Sequence, residues 1–345
     1  MSARSMTAAR RGRHWGLWLA LACLCLGAPT LSVGAQTQLV IVSGLGGEPK
    51  YRDAFLTWSA ALAEAAHARF GIPDSAIVWL GEDSTHTSPR YRGRSTRENI
   101  VRGLERVGSR AGAGGQVVVV LIGHGAGEGA ESRLSIPGPD ITAAELAKLL
   151  DRLPTRKVAV IALASASGDM LPVLARADRV VITATRTAFE RNESQFARHF
   201  VEALARDGAD VDKDGRVSLL EAFRYAAAET KRFYEDGGRL QTEHAQLDDT
   251  GSGRGSADPD GRTGAGVLAR RFFLDGGQLA SNSAGAADPQ LARLYGDKLA
   301  LEQQIDELRR RKASMTAEAY DDELERLLVT LARNAREIRR LEGRS

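Results

Sequence analysis

Residues 117–127 have the sequence VVVVLIGHGAG, and residues 158–174 have the sequence VAVIALASASGDMLPVL. Each stretch begins as a continuous apolar run and ends in small or polar residues. An apolar run of this length without polar alternation predicts a strand that is buried on both faces. The first strand ends at His124, and the second ends at Ser165 and Ser167. The two stretches therefore predict buried strands that carry reactive side chains at their carboxyl ends.

Three more apolar runs predict further strands, and helical periodicity separates them. The runs are QLVIVSGLGG (38–47), AIVWL (76–80) and RVVITA (179–184). Ser95 with Glu98, and Thr142 with Glu145, have the spacing of capping boxes and predict two helix starts. Strands that alternate with helices predict an α/β fold, a three-layer sandwich with a mostly parallel central sheet. The helical patterns lie at about 51–70, 95–107, 142–150, 194–207 and 218–234.

Residues 1–35 have the pattern of a secretory signal peptide. The basic segment RRGR (10–13) precedes an apolar stretch from Trp15 to Leu26, and Val33-Gly34-Ala35 fits the small-residue rule for cleavage. The alternatives are a membrane anchor, for which the apolar stretch is short, and lipidation of a cysteine, whose preceding residues fit that motif poorly. We expect export to the periplasm or the medium, with no membrane span in the mature chain.

The same segment contains the chain's two cysteines and the four arginines that make its net charge positive. Cys23 and Cys25 both lie there, so a mature chain would hold neither a disulfide nor a cysteine nucleophile. Without residues 1–35 the chain has 43 basic and 44 acidic residues, a net charge of −1 instead of +3. This balance gives no indication of nucleic-acid binding. Glycine-rich segments such as GLGGEP match no phosphate or dinucleotide motif, so we expect no cofactor for catalysis.

The order of these motifs resembles the legumain family of cysteine peptidases, which has a caspase-like fold. In that family one strand ends in His-Gly, and the next ends in Ala-Cys-x-Ser-Gly. The corresponding residues here are His124-Gly125 and Ala164-Ser165-Ala166-Ser167-Gly168. The upstream GLGGEPKYR (44–52) and the strand VVITATR (180–186) also resemble family segments. The resemblance covers residues from about 38 to 235.

The resemblance implies roles for four residues. Ser165 stands at the position of the nucleophile, and His124 stands at the position of its base. The main-chain N–H of Gly125 would contribute to an oxyanion hole, and Arg52 would shape the pocket for the residue before the scissile bond. A peptide or protein ligand in the cleft is the implied partner.

The departure from the family lies at the reacting atom. A thiol near pKa 8.5 is readily ionised by a neighbouring imidazole, whereas a serine hydroxyl needs a base held tightly against it. The favoured interpretation is an inactive peptidase fold that is retained for binding or scaffolding. The alternatives are an active hydrolase that uses Ser165 and His124, a structural envelope component, and a false resemblance in which the serines only complete a turn.

A second motif, DVDKDGRVSLLE at 210–221, matches the calcium-binding loop of an EF-hand. Carboxylates or other oxygens would come from six positions, and Gly215 would make the sharp turn. The alternative is an acidic turn that only caps the following helix. The motif predicts Ca²⁺ binding, and its predicted ligands are Asp210, Asp212, Asp214, the carbonyl of Arg216, Ser218 and Glu221.

The C-terminal part of the chain differs in composition. Residues 36–280 contain the predicted α/β domain, 281–288 (SNSAGAAD) have the composition of a linker, and 289–345 predict a helical hairpin. Lys298, Lys312 and Asn334 occupy positions in the apolar seam and weaken the case for a long coiled coil. We therefore favour a hairpin that packs on itself, docks on the α/β domain or binds a protein partner, with obligate self-association as the alternative. The seam contains Leu294, Leu301, Ile305, Leu308, Tyr320, Leu324, Leu327, Leu331, Ile338 and Leu341.

Overall fold

A computed structural model describes residues 37–211, 215–275 and 289–342. The predicted signal peptide (1–35) and linker (281–288) lie outside the described residues, so export stays a prediction. None of the helices in the described ranges is both long and apolar enough to cross a bilayer.

Seven strands form the central sheet, in the order β10-β9-β8-β4-β1-β2-β3. All neighbouring pairs are parallel except β10 with β9, so the predicted mostly parallel sheet is confirmed. Three short strands, β5 to β7, form a separate antiparallel sheet. The strands are β1 (Thr37–Ser43), β2 (Ile77–Gly81), β3 (Tyr91–Arg94), β4 (Gln116–Ile122), β5 (Gly125–Ala126), β6 (Arg133–Leu134), β7 (Ile141–Thr142), β8 (Lys157–Ala162), β9 (Arg179–Thr183) and β10 (Gln246–Asp248).

Helices cover both faces of the central sheet, which gives the predicted three-layer sandwich. Alternate residues of β1 show how the layers form, because Leu39 and Ile41 join one apolar cluster while Val40 and Val42 join the other. Helices α1, α5 and α6 pack on the first face, and α2, α3 and α4 pack on the second. These helices are α1 (Pro49–Ala68), α2 (Arg97–Ala111), α3 (Ala143–Asp151), α4 (Met170–Leu174), α5 (Gln195–Ala205) and α6 (Leu219–Asp236).

The two predicted capping boxes have different outcomes. Thr142 and Glu145 form one at the start of α3, as predicted. The box at Ser95 and Glu98 is wrong, because Thr96 caps α2 by accepting the Asn99 N–H. The Ser95 hydroxyl is instead buried and donates to carbonyls at the ends of β1 and β2. A buried hydroxyl with good main-chain acceptors is satisfied without capping the helix.

The C-terminal segment forms the predicted helical hairpin, made of α7 (Pro289–Arg310) and α8 (Ala317–Glu342). A short 3₁₀ turn, Lys312–Ser314, joins the two helices. Among the described side chains, the seam buries Ile305, Leu308, Tyr320 and Leu327, with Leu301, Met315, Leu324 and Leu331 packed beside them. The polar seam residue Asn334 donates to the Leu294 carbonyl at 3.0 Å. A protein partner for this hairpin, or its self-association, stays a prediction.

Candidate functional site

The strand order places the site at a topological switch point. From β1 the chain continues to β2 and β3 on one side, and it then crosses through α2 to β4 on the other side. Ligands of open α/β sheets bind in the crevice that such a reversal leaves at the carboxyl ends of the strands. The glycine loop at 44–47, His124 and Ser165 follow β1, β4 and β8, which are neighbours in the sheet.

His124 lies two residues beyond the end of β4, with its ring half-buried against helix α1. The rings of Tyr51 and Phe55 meet the imidazole edge-on, with centroids 4.8 and 5.0 Å away. The carbonyl of Gly46 accepts a hydrogen bond from the ring. Because that acceptor is a main-chain carbonyl on the β1 loop, the imidazole is oriented without a hydrogen-bonded carboxylate in the part of the chain that the structure describes.

Burial among these rings lowers the pKa of His124 below its ordinary value of 6.5. The hydrogen bond to Gly46 and the negative charges of Glu193 and Glu48 act in the opposite direction, but they are smaller causes. A lowered pKa keeps the imidazole neutral at pH 7, which is the form that accepts a proton. His124 is therefore equipped to act as a base or a hydrogen-bond acceptor.

Ser165 lies in direct contact with the His124-Gly125 loop. Its N–H donates to the Gly123 carbonyl at 3.3 Å. Its own carbonyl lies so close to Gly125 that a Cβ there would be 2.3 Å from the oxygen. A side chain larger than hydrogen at position 125 would therefore push the two loops apart. The predicted nucleophile and base positions are thus brought together by main-chain packing.

The Ser165 side chain is nearly buried, with the residue 3% exposed. Its hydroxyl has no hydrogen-bond partner among the described residues, His124 included. The next residue, Ala166, has φ +53° and is the one described non-glycine residue with a positive φ. An L-residue in this left-handed conformation costs about 1–2 kcal/mol, so its surroundings must hold it there.

Ser167, the second serine of the loop, has a structural role. It is fully buried, and its hydroxyl accepts the Ala184 N–H at 3.1 Å. The neighbouring Gly168 donates its N–H to the Thr185 hydroxyl at 2.8 Å, and a Cβ on Gly168 would lie 2.1 Å from the Arg186 carbonyl carbon. These contacts fasten the loop to the segment after β9 and leave Ser165 as the serine available for chemistry.

Glu190 braces the Ser165 loop, a role that no sequence motif indicated. Its carbonyl accepts the N–H of the strained Ala166 at 2.8 Å. Its carboxylate accepts the main-chain N–H groups of Arg186 and His244, both at 2.9 Å, and lies 2.7 Å from the His244 ring nitrogen Nδ1. Because His244 is 54 residues away along the chain, no local motif could have indicated the contact.

Arg52, the predicted specificity residue, lies on α1 with its guanidinium paired to Glu82 at 3.1 Å. The other Glu82 oxygen accepts the Gly46 N–H at 3.0 Å. Gly46 is also the residue whose carbonyl orients His124. Arg52 therefore lies at the same loop as the imidazole, and its charge is already balanced by a carboxylate.

The predicted calcium loop connects α5 to α6, and Asp212 and Asp214 lie outside the described residues. Gly215 has φ +82° and donates its N–H to Asp210 Oδ2 at 3.1 Å. Glu221 Oε1 accepts the Val211 N–H at 3.0 Å, which draws the twelfth position of the loop toward the first. Glu221 Oε2 also completes a capping box with Ser218 at the start of α6.

Two further features of this loop bear on metal binding. Asp210 Oδ1 is buried and has no hydrogen-bond partner among the described residues. The Arg216 side chain forms a buried bidentate ion pair with Asp275, at 2.9 and 3.1 Å. Among the described residues alone, no cluster of three or more His, Cys, Asp or Glu has the arrangement of a metal site.

No family model matches this sequence, and no curated protein matches it. Among solved structures, the chain is similar to the initiator caspase Dronc of Drosophila, with 12% sequence identity and a TM-score of 0.39. The match covers 70% of this chain and 84% of the caspase chain. A similarity of this degree concerns the architecture and assigns no role to any residue. Membership of the legumain family, and the replacement of a cysteine by Ser165, therefore stay predictions.

Proposed function

We propose that this chain is a peptidase-like protein that binds a peptide segment at the switch-point crevice without cleaving it. The observation that carries the proposal is the Ser165 hydroxyl, which lies on the loop next to His124 yet has no hydrogen bond to it among the described residues. A serine becomes a nucleophile only when a base is held against its hydroxyl.

The surroundings of His124 support the same conclusion. The ring is held by two aromatic edges and the Gly46 carbonyl, whereas a serine hydrolase orients its histidine with a buried carboxylate. A thiol tolerates the simpler arrangement, because an adjacent imidazole suffices to ionise it. The site therefore suits a sulfur nucleophile, and with an oxygen it retains the groove and the imidazole but little reactivity.

The test replaces the side-chain oxygen of Ser165 by the sulfur of cysteine. We expect the unchanged chain to bind, and not to cleave, those members of a fluorescent peptide library that Ser165→Cys cleaves. His124→Ala in the Ser165→Cys background should lower the cleavage rate by about 10²–10⁴-fold, the usual contribution of a general base. Ser167→Cys is the matched control and should gain no activity, because Ser167 is buried and its hydroxyl is hydrogen-bonded.

Two outcomes would contradict this proposal. Cleavage by the unchanged chain that disappears in His124→Ala would identify an active serine hydrolase. Absence of both peptide binding by the unchanged chain and cleavage by Ser165→Cys would leave the structural envelope role, with the helical hairpin as the functional surface.

We also propose that loop 210–221 binds Ca²⁺. The observation in its favour is Asp210 Oδ1, a buried carboxylate oxygen without a partner among the described residues, at the first ligand position of the motif. An unsatisfied buried oxygen is costly, and a hard cation with oxygen ligands removes that cost. Asp212, Asp214, the Arg216 carbonyl, Ser218 and Glu221 would complete the ligand set.

Calcium should raise the thermal unfolding temperature of the full chain. At about 100 times the dissociation constant the gain is about 2.7 kcal/mol. We expect Glu221→Gln to abolish this calcium-dependent shift in differential scanning fluorimetry. Glu235→Gln, an exposed change on the same helix, should leave the shift intact. An unchanged melting temperature in the parent chain, or an equal shift in Glu221→Gln, would refute the site.

A further inference from the structure

An open cavity of about 390 Å³ lies at the surface beside the start of α6, and three exposed arginines, Arg224, Arg262 and Arg270, contribute to its wall. Two carboxylates, Glu221 and Asp260, also line it. The volume lies in the lower part of the range for small-molecule sites and is roughly ten times the space of a single water molecule. The cavity can therefore hold a small organic molecule.

A tight turn brings the arginines together. Gly261, with φ +67°, packs so closely on Leu220 that a Cβ there would lie 2.4 Å from its methyl carbon. The same hypothetical Cβ would lie 3.7 Å from Arg270 Cδ, which places the Arg270 stem beside the turn that carries Arg262. The Arg224 guanidinium donates twice to the Pro259 carbonyl, at 2.6 and 3.2 Å, on the other side of the turn.

The carboxylates of this cavity accept hydrogen bonds from other donors, and main-chain N–H groups, with a smaller contribution from the Arg262 charge, lower the pKa of Asp260. Asp260 accepts the N–H groups of Arg262 and Thr263, and Glu221 accepts those of Val211 and Ser218. Within the three described ranges, the Arg262 and Arg270 side chains have no hydrogen-bond or ion-pair partner.

A second cavity of about 460 Å³, next to the calcium loop, differs from the first in the pairing of its arginines. Its arginines are paired, Arg69 with Asp207 at 2.7 Å and Arg216 with Asp275 at 2.9 Å. Because Asp210 also lines this cavity, its two arginines face three aspartates, so it offers an anion little. The 390 Å³ cavity has three arginines and two carboxylates in its lining, an excess of one positive charge.

We propose that the cavity lined by Arg224, Arg262 and Arg270 binds a small phosphomonoester. A planar guanidinium matches two phosphate oxygens at once, and hydrogen bonds between opposite charges are stronger than neutral ones. The cavity is too large for inorganic phosphate alone, so the organic part of the ligand occupies the remaining volume.

We also expect anion binding in this cavity to be coupled to calcium binding in loop 210–221. This coupling rests on the calcium proposal, whereas the anion site itself does not. Glu221 is both a lining residue of the cavity and the last ligand position of the loop. Calcium on Glu221 would neutralise a negative charge at the cavity wall and so tighten anion binding. By thermodynamic linkage the anion would tighten calcium binding by the same factor.

Isothermal titration of the full chain tests the anion site, with glycerol 3-phosphate as probe in the presence of EDTA. Inorganic phosphate should bind more weakly, and glycerol should not bind. The double variant Arg262→Ala/Arg270→Ala should lose at least about tenfold in affinity, because two charge-assisted contacts disappear. The matched control Arg102→Ala/Arg106→Ala removes two exposed arginines from α2 and should bind like the parent.

No binding of either phosphate probe to the parent chain, or equal losses in both double variants, would overturn the anion site. Equal affinity for phosphate and glycerol 3-phosphate would overturn the phosphomonoester assignment. For the coupling, glycerol 3-phosphate should bind more tightly with Ca²⁺ in the parent chain but not in Glu221→Gln. Arginine-dependent binding that calcium leaves unchanged would overturn the coupling alone.

Discussion

The loop pair around Ser165 and the loop at 210–221 both place candidate functional residues at the end of a strand or helix, but different contacts hold the two regions. At the Ser165 loop, a Cβ on Gly125 or Gly168 would lie within 2.3 Å of main-chain atoms. At the calcium loop, a Cβ on Gly215 would meet nothing within 4 Å. The first region is held by close main-chain packing, to which the Ser167 and Thr185 hydroxyls and Glu190 add hydrogen bonds. In the second region the described contacts are carboxylates that accept main-chain N–H groups without such packing.

This difference indicates how each region obtains its geometry. The Ser165 loop stores a strained residue, Ala166, which the Glu190 carbonyl and surrounding packing hold in place without any ligand. The calcium loop leaves the buried oxygen Asp210 Oδ1 without a partner among the described residues. A preorganised site keeps its shape when empty, whereas a site with an unsatisfied carboxylate gains stability when a cation binds. We therefore expect mutations to act by packing in the first region and by ligand dependence in the second.

Placing one methyl group in each region should separate the two most strongly. Gly168→Ala should destabilise the fold by about 3 kcal/mol or more, because the methyl meets the main chain of Arg186 and neither loop can move freely. Gly215→Ala should cost only about 1–2 kcal/mol, the strain of a left-handed alanine in open space. Urea unfolding in EDTA measures both values without a contribution from calcium.

A third glycine provides the control for this pair. Gly114 has open space and no positive φ, so Gly114→Ala should be neutral or stabilising by up to about 1 kcal/mol. If Gly168→Ala costs no more than Gly215→Ala, the Ser165 loop is not held by packing, and the distinction between the two regions fails. Failure of Gly168→Ala to fold, with the other two variants folded, agrees with the expectation.

Sequence patterns predicted the buried strands of this fold because continuous apolar runs are local signals. The edge strand β3, Tyr91–Arg94, was missed because its sequence YRGR has no apolar run, and exposure at the sheet edge removes the need for one. Strand β10 is only three residues long, too short for an apolar run, and it directly precedes an Asp- and Gly-rich stretch that ends near residue 265. Length and burial, rather than strand propensity, decide which strands can be predicted from sequence.

The site was predictable in part for the same reason. His124 and Ser165 follow apolar runs, so their position at the carboxyl edge could be inferred before their neighbours were known. The orienting carbonyl of Gly46 and the brace from Glu190 could not be inferred, because any residue type has a carbonyl and the contacts span long separations in sequence. Main-chain contributions to a site leave no signature in side-chain identity.

The pH dependence of stability provides a weaker test of the same distinction between the two regions. Burial lowers the pKa of His124 in the folded chain below its ordinary value of 6.5. Between the folded pKa and 6.5 the unfolded chain binds the additional proton, so stability falls as pH decreases through this window and is unaffected by this group above it. His124→Gln should therefore lose part of the acid destabilisation that sets in as the pH falls through 6.5.

NMR titration of the His124 ring, assigned by comparison with His124→Gln, measures the midpoint directly. We expect a midpoint below 6.5 that does not change when Ca²⁺ is added, because the ring is fixed by Tyr51, Phe55 and the Gly46 carbonyl and not by the calcium loop. A midpoint above 6.5 would mean that Glu193 and Glu48 outweigh burial, and the imidazole would then be largely charged near neutral pH. A midpoint that moves with calcium would show that the two regions share one conformational equilibrium, which would contradict their separate construction.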